Sequence, residues 1–208
     1  MDVDPLKDPQ EESRRLSGAR PEEPEDRTVF RLAQLAILLS VASQRGLKVP
    51  TVDRLGYLDF FSANPFLVVS GGAKRDAKDA LDLKLAGFTE NLITYASSGQ
   101  RFASRRRRLQ YDLAILLGYG VVEIGPEGYR LTPEGVELVG RLSSMYAEAY
   151  RVSANLIASR LGRMSDAELR RNAERWLGGT HLLIDFLDDV VDPTMSTDLD
   201  PMGRDLRG

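Results

Sequence analysis

Residues 104–132, SRRRRLQYDLAILLGYGVVEIGPEGYRLT, decide the fold. Leu109, Leu113, Leu116 and Leu117 recur at i, i+4, i+7 and i+8, the spacing that gathers apolar side chains on one face of a helix. Gly118 and Gly120 stop that helix, because glycine takes the left-handed conformation a helix end requires. Val121 to Ile124 and Tyr129 to Leu131 read as two short strands. Gly125-Pro126-Glu127-Gly128 between them has the residue types of a tight hairpin. Thr132-Pro133-Glu134 then opens another helix, with a hydroxyl cap, a proline at the first helical position and an acid in the first turn. Helix, hairpin, helix in this order is the second half of a winged helix-turn-helix. The expected fold class is mainly α with a small β-wing, a reading or assembly module rather than an enzyme.

The segments upstream supply the first half. Val29, Leu32, Leu35, Ala36 and Leu39 form an apolar face from Thr28 to about Gln44, which Arg45-Gly46 ends. Leu47 to Pro50 is expected as a short first strand. Thr51 caps a second helix whose Val52, Leu55, Leu58 and Phe61 point one way, and Asn64-Pro65 breaks it. A plain winged domain would reach its third helix within a few residues. Here residues 66–103 intervene: an apolar run Phe66 to Val69, a charged amphipathic stretch Ala73 to Leu85, and a short helix or extended piece Phe88 to Tyr95. An insertion of this length is expected to build a partner surface.

Beyond the hairpin, Leu138, Leu142, Met145, Ala149, Val152 and Leu156 alternate spacings of four and three, a heptad seam. One helix from Glu134 to about Gly162 would extend about 40 Å. Its seam packs on the first helix or forms a subunit contact, and these six residues are the candidate partner interface. Ser165 caps a helix from Asp166 to Leu177 with Leu169, Ala173, Trp176 and Leu177 apolar. Gly178-Gly179 separates it from an apolar-acidic helix, Thr180 to Val191. The expected organisation is a disordered acidic, proline-rich extension (1–27), a winged domain with its insertion and long helix (28–162), C-terminal helices (163–192) and a flexible tail (193–208).

Charge is segregated along the chain. Residues 1–27 carry nine acids and five bases, and residues 185–208 carry seven acids and two bases. The intervening 157 residues therefore hold 15 acids and 21 bases, so a basic centre lies between acidic ends although the whole chain is −3. The ends either keep the protein soluble or compete with nucleic acid for the centre. With no cysteine there is no disulfide, thiolate metal site or cysteine nucleophile. The longest apolar run, Leu32 to Ala42, is too short to span a bilayer, and the acidic N-terminus has no apolar signal region, so the expected location is the cytoplasm.

The search for chemistry is mostly negative. His181 is the single histidine, which excludes paired-imidazole metal sites and reads as packing or a cap. Ser70-Gly71-Gly72-Ala73-Lys74-Arg75 lacks the spacing of a phosphate-binding loop. Asp185, Asp188, Asp189 and Asp192 alternate with Leu183, Phe186, Leu187 and Val190, which makes them a solvated acidic face rather than a calcium loop. No catalytic residue, metal ligand or cofactor is expected.

Arg105 to Arg108 is the strongest functional candidate. Read as the first turn of the third helix, four arginines oppose the helix dipole and suggest an external anion. With the leucines inward, Arg107 and Tyr111 project outward, and Arg105 and Arg108 flank them. Arg101 upstream and Arg130 on the wing extend the patch along a phosphate backbone. The competing account is a solvated face, or pairing with the protein's own acids or an acidic partner.

The succession LAQLAILLSVASQ, LGYLDFFSANPFLV, YASSGQRFASRRRRLQYDLAILLGYGVVEI and GYRLTPEGVELVGRLSSMYAEAYRVSANLI resembles the middle components of bacterial ABC three-component systems, which include Lamassu-type anti-phage defence. These pieces cover most of residues 28–177 and contain no catalytic signature. The resemblance implies a non-enzymatic winged-helix protein set between an SMC- or Rad50-like ATPase and an effector subunit, commonly a nuclease; no membrane partner is expected, since no apolar run is long enough to span a bilayer. It supplies no catalytic residues, and the acidic extension has no match in it. The alternative is a transcriptional regulator that uses the same helix and wing as a homodimer.

Overall fold

A computed structural model describes residues 27–69, 74–90 and 97–178. The expectations for the N-terminal extension before Arg27, the Ser70–Ala73 loop, residues 91–95, His181, the aspartates from Asp185 on, the Thr180–Val191 helix and the tail fall outside those residues. The described chain is mostly helical with one two-stranded antiparallel sheet. Among the described residues no helix is long and apolar enough to cross a membrane.

Helix α1 (Thr28–Gln44) and helix α2 (Val52–Ala63) both pack against helix α6 (Met145–Leu161). Helix α2 is the centre of the molecule: every residue from Leu55 to Ser62 is buried, although the sequence shows only one apolar face. The reason is that α1, α4 (Ser98–Gly118), α6 and α7 (Asp166–Trp176) surround it. Leu38, Leu55, Phe61, Ile157 and Leu161 are essentially sealed from water, and each such side chain contributes about 1.5–3 kcal/mol of hydrophobic stabilisation. Trp176 of α7 meets Phe61 edge-on at 5.1 Å.

The caps follow the sequence. Thr51 Oγ1 accepts from Arg54 N at 3.2 Å, and Thr132 Oγ1 accepts from Gly135 N at 3.0 Å. Helix α4 ends in a Schellman arrangement: Gly120, at φ +66°, donates to Leu117 O, and Val121 N donates to Leu116 O. Strands β1 (Val122–Gly125) and β2 (Gly128–Leu131) follow, pairing Val122 with Leu131 and Gly125 with Gly128. The expected strand at 47–50 contracts to a single parallel bridge between Val49 and Gly128, with Tyr129 N donating to Val49 O at 3.0 Å.

Two expectations are corrected. The single helix 134–162 is two, α5 (Pro133–Gly140) and α6, because Ser144 caps α6 by accepting from Ala147 N at 3.2 Å. Arg151 Nη2 fixes the break by donating to Val139 O at 2.8 Å, in the last turn of α5, and to Leu142 O at 2.7 Å, in the connection that follows it. The buried face of α6 is then Ala147, Tyr150, Ala154, Ile157, Ala158 and Leu161 rather than the heptad seam. Met145 is 88% exposed, Leu138 and Val152 are also exposed, and Leu142, Ala149 and Leu156 are half-buried. The insertion contributes a short 3-10 turn (Pro65–Leu67) and helix α3 (Lys74–Leu85). Arg160 of α6 holds α3 through Asp76 at 2.7 Å and Asp79 at 2.8 Å, beside the sealed Leu83.

Candidate functional site

Helix α4 begins at Ser98, about two turns before the arginine run. Ser97 is its cap, in a reciprocal capping box: Gln100 N donates to Ser97 Oγ at 3.2 Å and Ser97 N donates to Gln100 Oε1 at 3.0 Å. Ser97-x-x-Gln100 is visible in the sequence and was the signal for the true start. Arg105 to Arg108 therefore lie in mid-helix. The conflict with the helix dipole disappears, since that effect is confined to the first and last turns.

Mid-helix placement sends the four arginines in four directions. Arg105 faces the core, 8% exposed, where Nη2 donates to Asp59 Oδ1 at 2.8 Å and to Gln34 Oε1 at 2.7 Å. Gln34 in turn donates to the Tyr146 hydroxyl at 3.1 Å. The expectation that Arg105 flanks an outer surface is thus corrected: it is a structural cation linking α4, α2 and α1. Arg106 turns toward α2 and pairs with Asp53 at 2.6 Å. Arg108 is half-buried, and Arg107 alone of the four is exposed.

Of the remaining candidates, Arg101 is half-buried and donates to Asn64 Oδ1 at the end of α2. Tyr111 is 65% exposed and lies one turn beyond Arg107. Ser104, Ala114 and Gly118 share that outward face. Arg130 is exposed on β2 and pairs across the hairpin with Glu123, its directly opposed residue, at 2.8 Å. The structure thus leaves Arg107 and Tyr111 on one face of α4 and Arg130 on the hairpin that follows, while Arg101, Arg105 and Arg108 are wholly or partly inside.

A second buried pair was missed by sequence reading. Arg31 of α1 forms a fork with Asp112 of α4, Nε to Oδ2 at 2.7 Å and Nη2 to Oδ1 at 2.9 Å. Asp112 sits among Leu109, Leu113 and Leu116 on the apolar stripe, and a lone acid in such a stripe was the available signal. Among the described residues no group of acids or histidines is arranged to hold a metal ion. No protein-family model matches the chain, and neither a curated protein nor a solved structure matches it.

Proposed function

We propose that the protein is a non-enzymatic winged-helix adaptor that links an SMC- or Rad50-like ABC ATPase to an effector subunit and touches DNA through the outward face of α4 and the hairpin. The observation that carries the DNA contact is the exposure of Arg107 and Tyr111 on the helix leading into the hairpin, with Arg130 on its second strand. An arginine beside an exposed tyrosine suits a sugar-phosphate backbone, since the cation meets phosphate and the ring packs on sugar or an unstacked base. Arg130 is held by Glu123 and keeps the hairpin's outer charge near neutral, so contact alone is weak and gains strength in an assembly. The adaptor role draws on the sequence resemblance and on helix α3, an insertion whose Leu81 and Leu85 are exposed.

Co-expression with a coiled-coil ATPase encoded beside this gene tests the adaptor, the expected result being a stable complex that binds duplex DNA more tightly than either component. A chain that stays monomeric beside such an ATPase and binds a palindromic duplex tightly at physiological salt would instead mark a regulator.

A further inference from the structure

Helix α3 has two unlike faces. Inward, Asp76 and Asp79 meet Arg160 of α6 beside the sealed Leu83. Outward, Lys74, Lys78, Leu81 and Leu85 follow one another at spacings of four, three and four, which sets them in one stripe along the helix. All four are exposed, Leu85 at 78%. Ala77 and Lys84 border the stripe on one side, Arg75 and Asp82 on the other. Lys84 is held by Glu90 at 3.1 Å and Arg75 pairs with Asp79 at 3.7 Å, whereas neither Lys74 nor Lys78 forms an ion pair among the described residues. The outward half of α3 thus sets two uncovered leucines among Lys74, Arg75, Lys78 and Lys84, with Asp82 as its acid. A surface of that kind fits an apolar segment that carries acids.

The chain contains such a segment. Residues 180–192, THLLIDFLDDVVD, lie beyond the described residues. They hold seven large apolar side chains and four aspartates, with no lysine or arginine. Leu183, Leu187 and Val190 recur at four and three, and Asp185, Asp188, Asp189 and Asp192 interleave with them. Apolar side chains in that density are driven out of water and onto other apolar surface. A rival apolar face lies at the first turns of α1 and α6, where Val29, Met145 and Tyr146 are exposed beside Leu142. There Arg141 and Arg151 are already paired with Glu137 and Glu148, so four aspartates would find no free counter-charge in them. The stripe on α3 supplies both leucines and unpaired cations.

We propose that residues 180–192 dock along the outward stripe of α3 in the same chain, their apolar side chains on Leu81 and Leu85 and their aspartates beside Lys74 and Lys78. The chain path favours this contact over one between copies. Trp176 meets Phe61 near the end of α2, and the chain leaves that same end of α2 through Pro65–Leu67 on its way to α3. The segment begins two residues after Gly178, so docking is intramolecular, with an effective concentration on the order of millimolar. Apolar contact holds the segment, while ion pairs, weak on a surface, select the face it takes. The inference goes beyond the adaptor reading and does not rest on it; a partner that uses Leu81 and Leu85 has to displace the segment first.

The test is carbodiimide cross-linking of the full chain, which joins an amine only to a carboxylate in contact with it, read by peptide mass spectrometry on an equal mixture of unlabelled and isotope-labelled protein. The expected product joins Lys74 or Lys78 to Asp185, Asp188, Asp189 or Asp192 within chains of a single isotope. Two double variants test the apolar contact from its two sides: Leu81→Glu with Leu85→Glu, and Leu183→Asp with Leu187→Asp. The first pair is exposed and the second changes no described residue, so the described fold survives both. Each is expected to lower the cross-link yield about tenfold or more, through the loss of two buried leucine contacts. Absence of the link in wild type would overturn the inference. Links confined to mixed-isotope pairs would overturn it in favour of a contact between copies. Links that both double variants leave unchanged would overturn it too, since charge encounter without docking gives that result.

Discussion

Arg31 and Asp112 form a two-point ion pair that is 6% and 2% exposed, joining the first turn of α1 to the middle of α4. A second such pair, Arg105 with Asp59, joins α4 to α2. Helix α4 is thus fixed to its neighbours by directional bonds as well as by its leucines. Directional bonds set rotation about the helix axis, which apolar packing leaves looser. That rotation decides which side chains reach the surface, and here it presents Arg107 and Tyr111.

Breaking the first pair should cost far more than a surface change. Asp112→Ala leaves the Arg31 guanidinium buried without its counter-charge and is expected to destabilise the protein by about 3–5 kcal/mol. The double replacement Arg31→Met with Asp112→Leu should recover much of that loss, because a well-packed apolar pair is often as stable as a buried ion pair. Urea unfolding of the three proteins measures both effects. A single variant within 1 kcal/mol of wild type would show that water reaches the pair.

Neighbouring arginines should behave oppositely. Arg105→Gln strands Asp59 in the core and is expected to lower stability by about 3–5 kcal/mol. Arg107→Gln, two residues on, should change it by no more than about 0.5 kcal/mol while flattening the salt dependence of DNA binding by about one unit. Thermal midpoints and a salt series on the same preparations separate the two roles. Equal stability effects at both positions would contradict the rotation described for α4.

How far these features could be read in advance depended on how local their cause is. Helix ends were legible because they rest on single residues: Thr51, Thr132 and Ser165 cap as their chemistry predicts and Gly120 takes the left-handed stop, whereas Gly118 is the last helical residue and is not left-handed. The α5–α6 break was not, because Leu138, Leu142, Met145 and Val152 keep the heptad spacing straight through Ser144. The break depends on Arg151 reaching back to two carbonyls. The arginine run misled for a similar reason. Four identical cations look like one patch, but their 100° steps around the axis meet Asp59, Asp53 and solvent in turn, and Asp59 and Asp53 are 46 and 53 residues away in sequence.

Gly128 is expected to tolerate no side chain. Its φ is +106°, and a Cβ there would lie 1.9 Å from the Val49 carbonyl oxygen that accepts from Tyr129 N. Gly128→Ala should therefore detach the hairpin from the α1–α2 connection, at a cost of roughly 1–3 kcal/mol. Hydrogen exchange at the Tyr129 amide reads this directly: the variant should exchange much faster there, with protection retained in α2. An unchanged Tyr129 rate would show that the Val49 bridge does not hold the hairpin.

Stability should fall at alkaline pH through Tyr150. Burial, reinforced by the nearby Asp59 carboxylate, raises this phenol well above the ordinary value of 10.0. Below pH 10 the folded and unfolded chains both keep the proton, and the contribution is fully present. Above it the unfolded chain ionises first, so the unfolded state gains and stability drops as pH rises, by roughly 1 kcal/mol per pH unit. Tyr150→Phe removes the ionisable group and leaves the ring in place between α1 and α6. Urea midpoints measured from pH 8 to 11 should decline less steeply for Tyr150→Phe than for wild type. Parallel declines would mean that the phenol ionises as easily in the folded protein as in the unfolded chain, and Tyr150 would not be the sealed group at the centre of α6.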